Sequence, residues 1–215
     1  MTSSVPRPEA VRVAVFAKAP VPGEVKTRLA AILGADGAAA LHSGLVRHAL
    51  ASAVESRLGE VELCCAPDTS HPFFARCAAQ FGVRLAPQRG ADLGARMREA
   101  IDRALAAGAA AIVIGADCAA LKAGHLRCAA EALARHDAVI IPAEDGGYVL
   151  LGLAAPVPAI FEGIDWGTPA VLRQTRERFG ACGMSCVELP ALWDVDRPED
   201  YARLRSEGLL AEVLS

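Results

Sequence analysis

The apolar run Ile112-Val113-Ile114-Gly115-Ala116 ends on a single carboxylate, Asp117. An unbroken apolar run flanked by alanine-rich helical sequence reads as a strand buried on both faces of a parallel sheet. Ligands bind outside the carboxyl ends of such strands, so Asp117 stands where chemistry is expected. A cation or charged ligand is its natural partner, although Asp also favours turns and helix N-caps. A second chemical stretch follows an apolar segment at 11–16 and spans Ala17, Lys18, Pro20, Pro22, Gly23, Lys26, Thr27 and Arg28. Its prolines and Gly23 hold a loop open, and its three cations opening onto a helix suit phosphate oxygens. The Walker spacing G-x-x-x-x-G-K-[ST] is absent, and a solvated surface loop is the plain alternative.

Further carboxylates stand late in the chain. Glu144-Asp145-Gly146-Gly147 precedes an apolar strand beginning near Tyr148. D-G before a strand signals a tight hairpin turn. If the strands ending near Asp117 and Asp145 are neighbours, the turn also brings carboxylates together, as a hard divalent cation requires. Asp194 and Asp196 precede Pro198-Glu199-Asp200, which are good helix-start residues, so the two earlier aspartates call for another explanation. The segment 87–97 places Gly90, Asp92, Leu93 and Gly94 before a helix. Backbone amides there can approach a nucleobase or sugar, although Asp92 as a plain N-cap is the better reading of this piece alone. Trp166-Gly167-Thr168-Pro169 opens another helix, where the indole either stacks on a substrate ring or packs.

Between these stretches the pattern alternates strand and helix. Strands are predicted at 11–16, 61–65, 83–86, 112–116, 138–142 and 184–189, besides the one beginning near Tyr148, with helices over 37–58, 71–81, 93–107 and 122–135 and a terminal helix after Tyr201. His42, His48 and His71 stand singly and read as packing or surface residues. The seven cysteines have no metal-ligand spacing, and most of them read as small buried hydrophobes in a reducing compartment, not a zinc site. A length of 215 residues suits one α/β domain over 11–215, preceded by a disordered polar lead-in at 1–10. The formal charge of −3 and pI near 6.0 give no basic footprint for nucleic acid. No apolar run approaches bilayer-spanning length and no signal peptide is evident, so a cytoplasmic protein with no membrane partner is expected. A homodimer is left open.

Together the segments A-K-A-P-V-P-G-E-V-K-T-R-L, Q-R-G-A-D-L-G-A-R-M, G-A-D-C-A-A-L, D-G-G-Y-V-L-L-G-L, W-G-T-P and D-V-D-R-P-E-D-Y resemble the DUF2064, or arsenosugar-biosynthesis-type, small glycosyltransferases. These lie within the GT-A superfamily of nucleotide-diphospho-sugar transferases and nucleotidyltransferases. More distant likenesses are the guanylyltransferase that activates phospholactate and the molybdenum-cofactor nucleotidyltransferase. The resemblance runs from Val11 to about Leu204. It implies a single-domain, Rossmann-like α/β/α sandwich with a mostly parallel sheet. It also implies a nucleotide or nucleotide-sugar donor, a small-molecule acceptor, and Mg²⁺ or Mn²⁺.

The resemblance assigns the phosphates to Lys18, Gly23, Lys26 and Arg28 and a metal and ribose contact to Asp117. A further metal ligand falls to Asp196. Asp145 becomes a base or second metal ligand, and Gly146, Gly147 and Tyr148 border the acceptor, beside which Trp166 and Thr168 fall. The chain departs from the family pattern at Ala116 and Ala119, where Ser or Thr and Pro are usual, at Gly167 for Ser, and at Arg197 for Thr. The leading expectation is sugar transfer; nucleotidyl transfer and non-catalytic nucleotide binding are the alternatives.

Overall fold

The computed structural model describes residues 10–214. Seven strands form one sheet in the order β3-β2-β1-β4-β6-β5-β7. They are β1 (Ala10–Lys18), β2 (Val61–Ala66), β3 (Arg84–Pro87), β4 (Ala109–Gly115), β5 (Ala138–Pro142), β6 (Tyr148–Leu153) and β7 (Cys186–Glu188). All run parallel except β6, which is antiparallel to both β4 and β5. The helices are α1 (Ala30–Ser56), α2 (Pro72–Phe81), α3 (Leu93–Ala106), α4 (Ala123–Leu133), α5 (Val171–Ala181), α6 (Pro198–Ser206) and α7 (Leu209–Leu214).

The apolar strands are explained by cover on both sides. Along β4, Ala110, Ile112 and Ile114 face one core with α1, α2 and α4, while Ala111 and Val113 face a second with α3 and α5. Successive strand side chains point to opposite faces, so a strand covered twice has no position for a polar residue. A third, smaller core joins Leu29, Leu41, Leu45, Ala119, Trp193, Val195, Leu204 and Val213. These residues flank the cationic loop, the end of β4 and the late acidic segment. One cluster therefore fixes the three chain segments that carry the site.

Several expectations are corrected. Of the expected lead-in, residues 1–9 lie outside the described residues, and Ala10 already pairs with Ala109 in the sheet. Helix α1 begins seven residues earlier than the pattern indicates, by continuing through a kink at Gly34 (φ 71°, ψ 167°). The resulting run Thr27–Ser56 is long and apolar enough, by length and composition, to cross a bilayer. Its apolar residues Leu41, Leu45, Val46 and Leu50 are buried in the protein core instead. The strands β4 and β5 are not neighbours, because β6 folds back between them. The terminal helical region is two helices, α6 and α7, broken near Gly208.

Candidate active site

At its carboxyl end β1 passes into the cationic loop, whose turns are closed by the Val21 amide on Ala19 O (2.8 Å) and the Glu24 amide on Val21 O (3.0 Å). The loop ends on Lys26, which adopts the left-handed conformation (φ 47°). That conformation costs a non-glycine residue about 1–3 kcal/mol and persists only where the surroundings over-determine it. Here the surroundings include an ion pair between a buried lysine and a half-exposed aspartate. Lys26 Nζ lies 2.6 Å from Asp117 Oδ1, with the lysine side chain 4% exposed and the aspartate 48% exposed. Burial opposes ionisation of Asp117, but the Lys26 ammonium, helped by His42 and Lys18, holds its carboxyl below the ordinary value.

The late acidic segment is extended, so its side chains alternate. Trp193 and Val195 are buried in the third core, and Asp194 and Asp196 take the other side. The Val195 amide donates to Asp117 O at 2.9 Å, which ties this segment directly to the end of β4. Asp196 pairs with Arg28 of the cationic loop. Asp200 caps α6 by accepting from the Asp196 amide (3.0 Å) and the Arg197 amide (2.7 Å). Asp194 is strongly displaced from its ordinary behaviour. Burial, then Asp117 and Asp145, push its pKa up to about 7.

Asp145 reaches this edge because antiparallel β6 starts beside the end of β4, with Leu150 opposite Ile114. Its Oδ1 accepts from the Gly147 amide at 2.9 Å. Gly146 closes the turn at φ 93°, with the Pro169 carbonyl 2.4 Å from where a Cβ would stand. Glu144, which the sequence placed with Asp145, turns outward to Arg203 at 2.9 Å.

Two cavities adjoin at this edge. The larger, about 590 Å³, is lined by Ala17, Lys18, Lys26, Thr27, Arg28, Leu93, Asp117 and Asp196, together with His42 and Gln88. The smaller, about 340 Å³, is lined by Asp145, Gly147, Tyr148, Trp166, Thr168, Asp194 and Arg197. Arg28 and Leu93 line both. A wider trough of about 790 Å³ lies on the outer face of α3, away from Lys26 and Asp117.

Four of the expected contacts sit elsewhere. Gly23 is at the exposed tip of the loop, and Gly90 packs against the Ala95 backbone. Asp92 is the N-cap of α3, accepting from the Ala95 amide at 2.8 Å. Gly94 is buried beneath the Trp166 ring. In the smaller cavity, Tyr148 has its phenol pKa pushed up by burial, with its hydroxyl 3.9 Å from Met97 Sδ. The Thr168 hydroxyl is occupied by Asp165 O at 2.8 Å.

Two residues were missed by the sequence reading. His42, 6% exposed, donates from Nε2 to Lys18 O at 3.0 Å and brings Nδ1 to 3.9 Å from Asp117 Oδ1. Nδ1 has no hydrogen-bond partner among the described residues. Burial lowers the His42 pKa, against the pull of Asp117. A histidine in the buried stripe Ala38, His42, Leu45 and Ala49 of α1 was the available signal. Gln88 gives both amide hydrogens to main-chain carbonyls, Ala17 O (3.3 Å) and Cys64 O (2.9 Å), which leaves its Oε1 as the acceptor for the cleft.

Among the described residues, no three His, Cys, Asp or Glu side chains converge as a ready-made metal site. Of the three expected ligands, Asp117 is ion-paired to Lys26 and Asp196 to Arg28. Mg²⁺ needs only one or two carboxylates when substrate phosphates and water complete its octahedron. Asp117, Asp145 and Asp196 are close enough to Asp194 to add, after burial, to the rise of its pKa, and hard carboxylate oxygens gathered at one edge are the donor chemistry such an ion takes.

The model of the family described as "Uncharacterized protein conserved in bacteria (DUF2064)" matches residues 49–168, more than half of the chain. The chain belongs to this family. A solved protein of Desulfovibrio desulfuricans G20, provisionally named a nucleotide-diphospho-sugar transferase, is 29% identical with a TM-score of 0.81, over 94% of this chain and 97% of that one. The 4-diphosphocytidyl-2C-methyl-D-erythritol synthase of Anaerococcus prevotii shares the fold at 10% identity and a TM-score of 0.61, over 93% of this chain and 98% of that one. So does the inositol-1-phosphate CTP transferase of T. maritima, at 11% identity and a TM-score of 0.59, over 96% and 97%. A search of curated proteins returned no match.

Proposed function

We propose that this DUF2064 protein is a metal-dependent transferase that binds a nucleotide donor in the larger cavity and a small-molecule acceptor in the smaller one. The observation that carries this reading is the meeting of Lys26 with Asp117 and of Arg28 with Asp196 at the carboxyl edge of the sheet. The two cavities adjoin there. The likeness to the Desulfovibrio protein supports sugar transfer from a nucleotide-diphospho-sugar as the leading form.

In this reading Lys18, Lys26 and Arg28 neutralise the diphosphate that leaves, a charge that develops in the transition state. Gln88 Oε1 accepts a hydrogen bond from the base. Asp145, which no cation pairs among the described residues, takes the proton of the attacking acceptor hydroxyl. A Mg²⁺ or Mn²⁺ ion held by Asp117, with Asp196 or Asp145, would supply Lewis-acid stabilisation of the phosphates.

Nucleotidyl transfer is the second reading. It is favoured by three cations on one loop, which match a triphosphate, and by the fold shared with CTP-dependent enzymes. There the acceptor is already a phosphate, and positioning replaces base catalysis. The test is a panel of nucleotide sugars and nucleoside triphosphates, each offered hydroxylated and phosphorylated acceptors with Mg²⁺. Release of nucleoside diphosphate supports sugar transfer, and release of pyrophosphate supports nucleotidyl transfer. Release of neither contradicts both.

A further inference from the structure

Gly94 is the second residue of α3, in ordinary helical conformation, so no backbone angle calls for glycine there. Trp166 does. A Cβ on Gly94 would stand 2.4 Å from Cζ2, 2.5 Å from Cε2 and 2.6 Å from Nε1 of the indole. Carbon atoms in contact sit near 3.5–4.0 Å, so any larger residue must displace the ring. Phe161 stacks on the same indole at 6.5 Å with the planes 29° apart. The ring is therefore wedged between the start of α3 and the short 3-10 turn Pro158–Phe161. It walls the smaller cavity, and Leu93, the residue before Gly94, lines both cavities.

We propose that Trp166 is the specificity-determining wall of the acceptor cavity and that Gly94 is the positioning residue that seats it. The proposal rests on the acceptor reading of the smaller cavity. In it, two consecutive residues of α3 have separate tasks: Leu93 divides donor from acceptor, and Gly94 sets how far the acceptor wall stands from that divide. The glycine of the D-L-G segment thus serves the acceptor, not a nucleobase.

The experiment compares Gly94→Ala, Trp166→Leu and the double variant. Acrylamide quenching of tryptophan reads the wall directly, because Trp193, the other tryptophan, is 4% exposed and contributes little. Gly94→Ala is expected at least to double the quenching constant and to raise acceptor KM tenfold or more, with donor KM within twofold of wild type. The double variant should have the acceptor KM of Trp166→Leu alone, since the clash is gone when the indole is gone. Unchanged quenching in Gly94→Ala, an equal rise in donor KM, or multiplied losses in the double variant would each overturn the proposal. A wild-type protein that consumes no donor in the panel ends the acceptor role and the proposed function together. In that case quenching still shows, separately, whether Gly94 seats the ring.

Discussion

Lys26 Nζ and Asp117 Oδ1 stand 2.6 Å apart, joining the loop after the first strand to the end of the fourth. The lysine sits in a left-handed backbone conformation, and its ammonium favours the ionised carboxylate. Asp117→Asn removes the charge while preserving shape. The expected result is a loss of turnover of about 100-fold or more, the range of a lost electrostatic contact at a reacting phosphate, with the far-UV spectrum unchanged. Steady-state product release checks it. A variant with the wild-type rate excludes Asp117 from the reaction.

The raised pKa of Asp194, about 7 against an ordinary 3.8, gives a pH dependence with a definite sign. Burial and the neighbouring Asp117 and Asp145 favour its protonated form in the fold. The stability this group contributes is full below the unfolded value and is lost as pH rises through about 7. Asp194→Asn, which cannot ionise, should therefore raise Tm over wild type more at pH 8 than at pH 5. Melting curves that differ equally at both values would refute the assignment.

Arg28 pairs with Asp196 and lines both cavities. Arg28→Ala should weaken donor binding about tenfold and flatten its salt dependence, because one phosphate-facing cation is lost. Its cost in stability should be under about 1 kcal/mol, since the pair is exposed. Calorimetry at two salt concentrations measures the first, and thermal melts the second. Wild-type affinity and salt slope in this variant would remove Arg28 from the donor site.

Gly146 has a positive φ and lies against the Pro169 carbonyl, which leaves no room for a side chain. Gly146→Ala should cost about 1–3 kcal/mol of stability and should lower turnover by displacing Asp145 from the site edge. Chemical denaturation and rate measurements on the same preparation separate the two effects. An alanine accepted without loss would mean that the turn does not position Asp145.

The alternation of apolar runs and helical pattern was enough to read a parallel α/β sheet and to place Asp117 at its carboxyl edge. The later insertion of β6 between β4 and β5 was not readable. A hairpin after β5 fixes only that β6 pairs with β5, and its other partner is chosen by packing. Glu144 and Asp145 look equivalent in sequence, and only the distant Arg203 decides that one turns away. His42 and Gln88 were hidden for a similar reason: their meaning lies in partners 24 to 75 positions off, Lys18, Asp117, Ala17 and Cys64. Gly94 was read for backbone approach, whereas its reason is a ring far along the chain.

The most direct test of the account is calorimetric titration of ADP, GDP, CDP and UDP, with Mg²⁺, into wild type and Lys26→Ala. The account predicts that wild type binds one of the four measurably more tightly than the rest, and that Lys26→Ala weakens that nucleotide at least tenfold. Wild type binding none of them, or Lys26→Ala binding as wild type does, would contradict it.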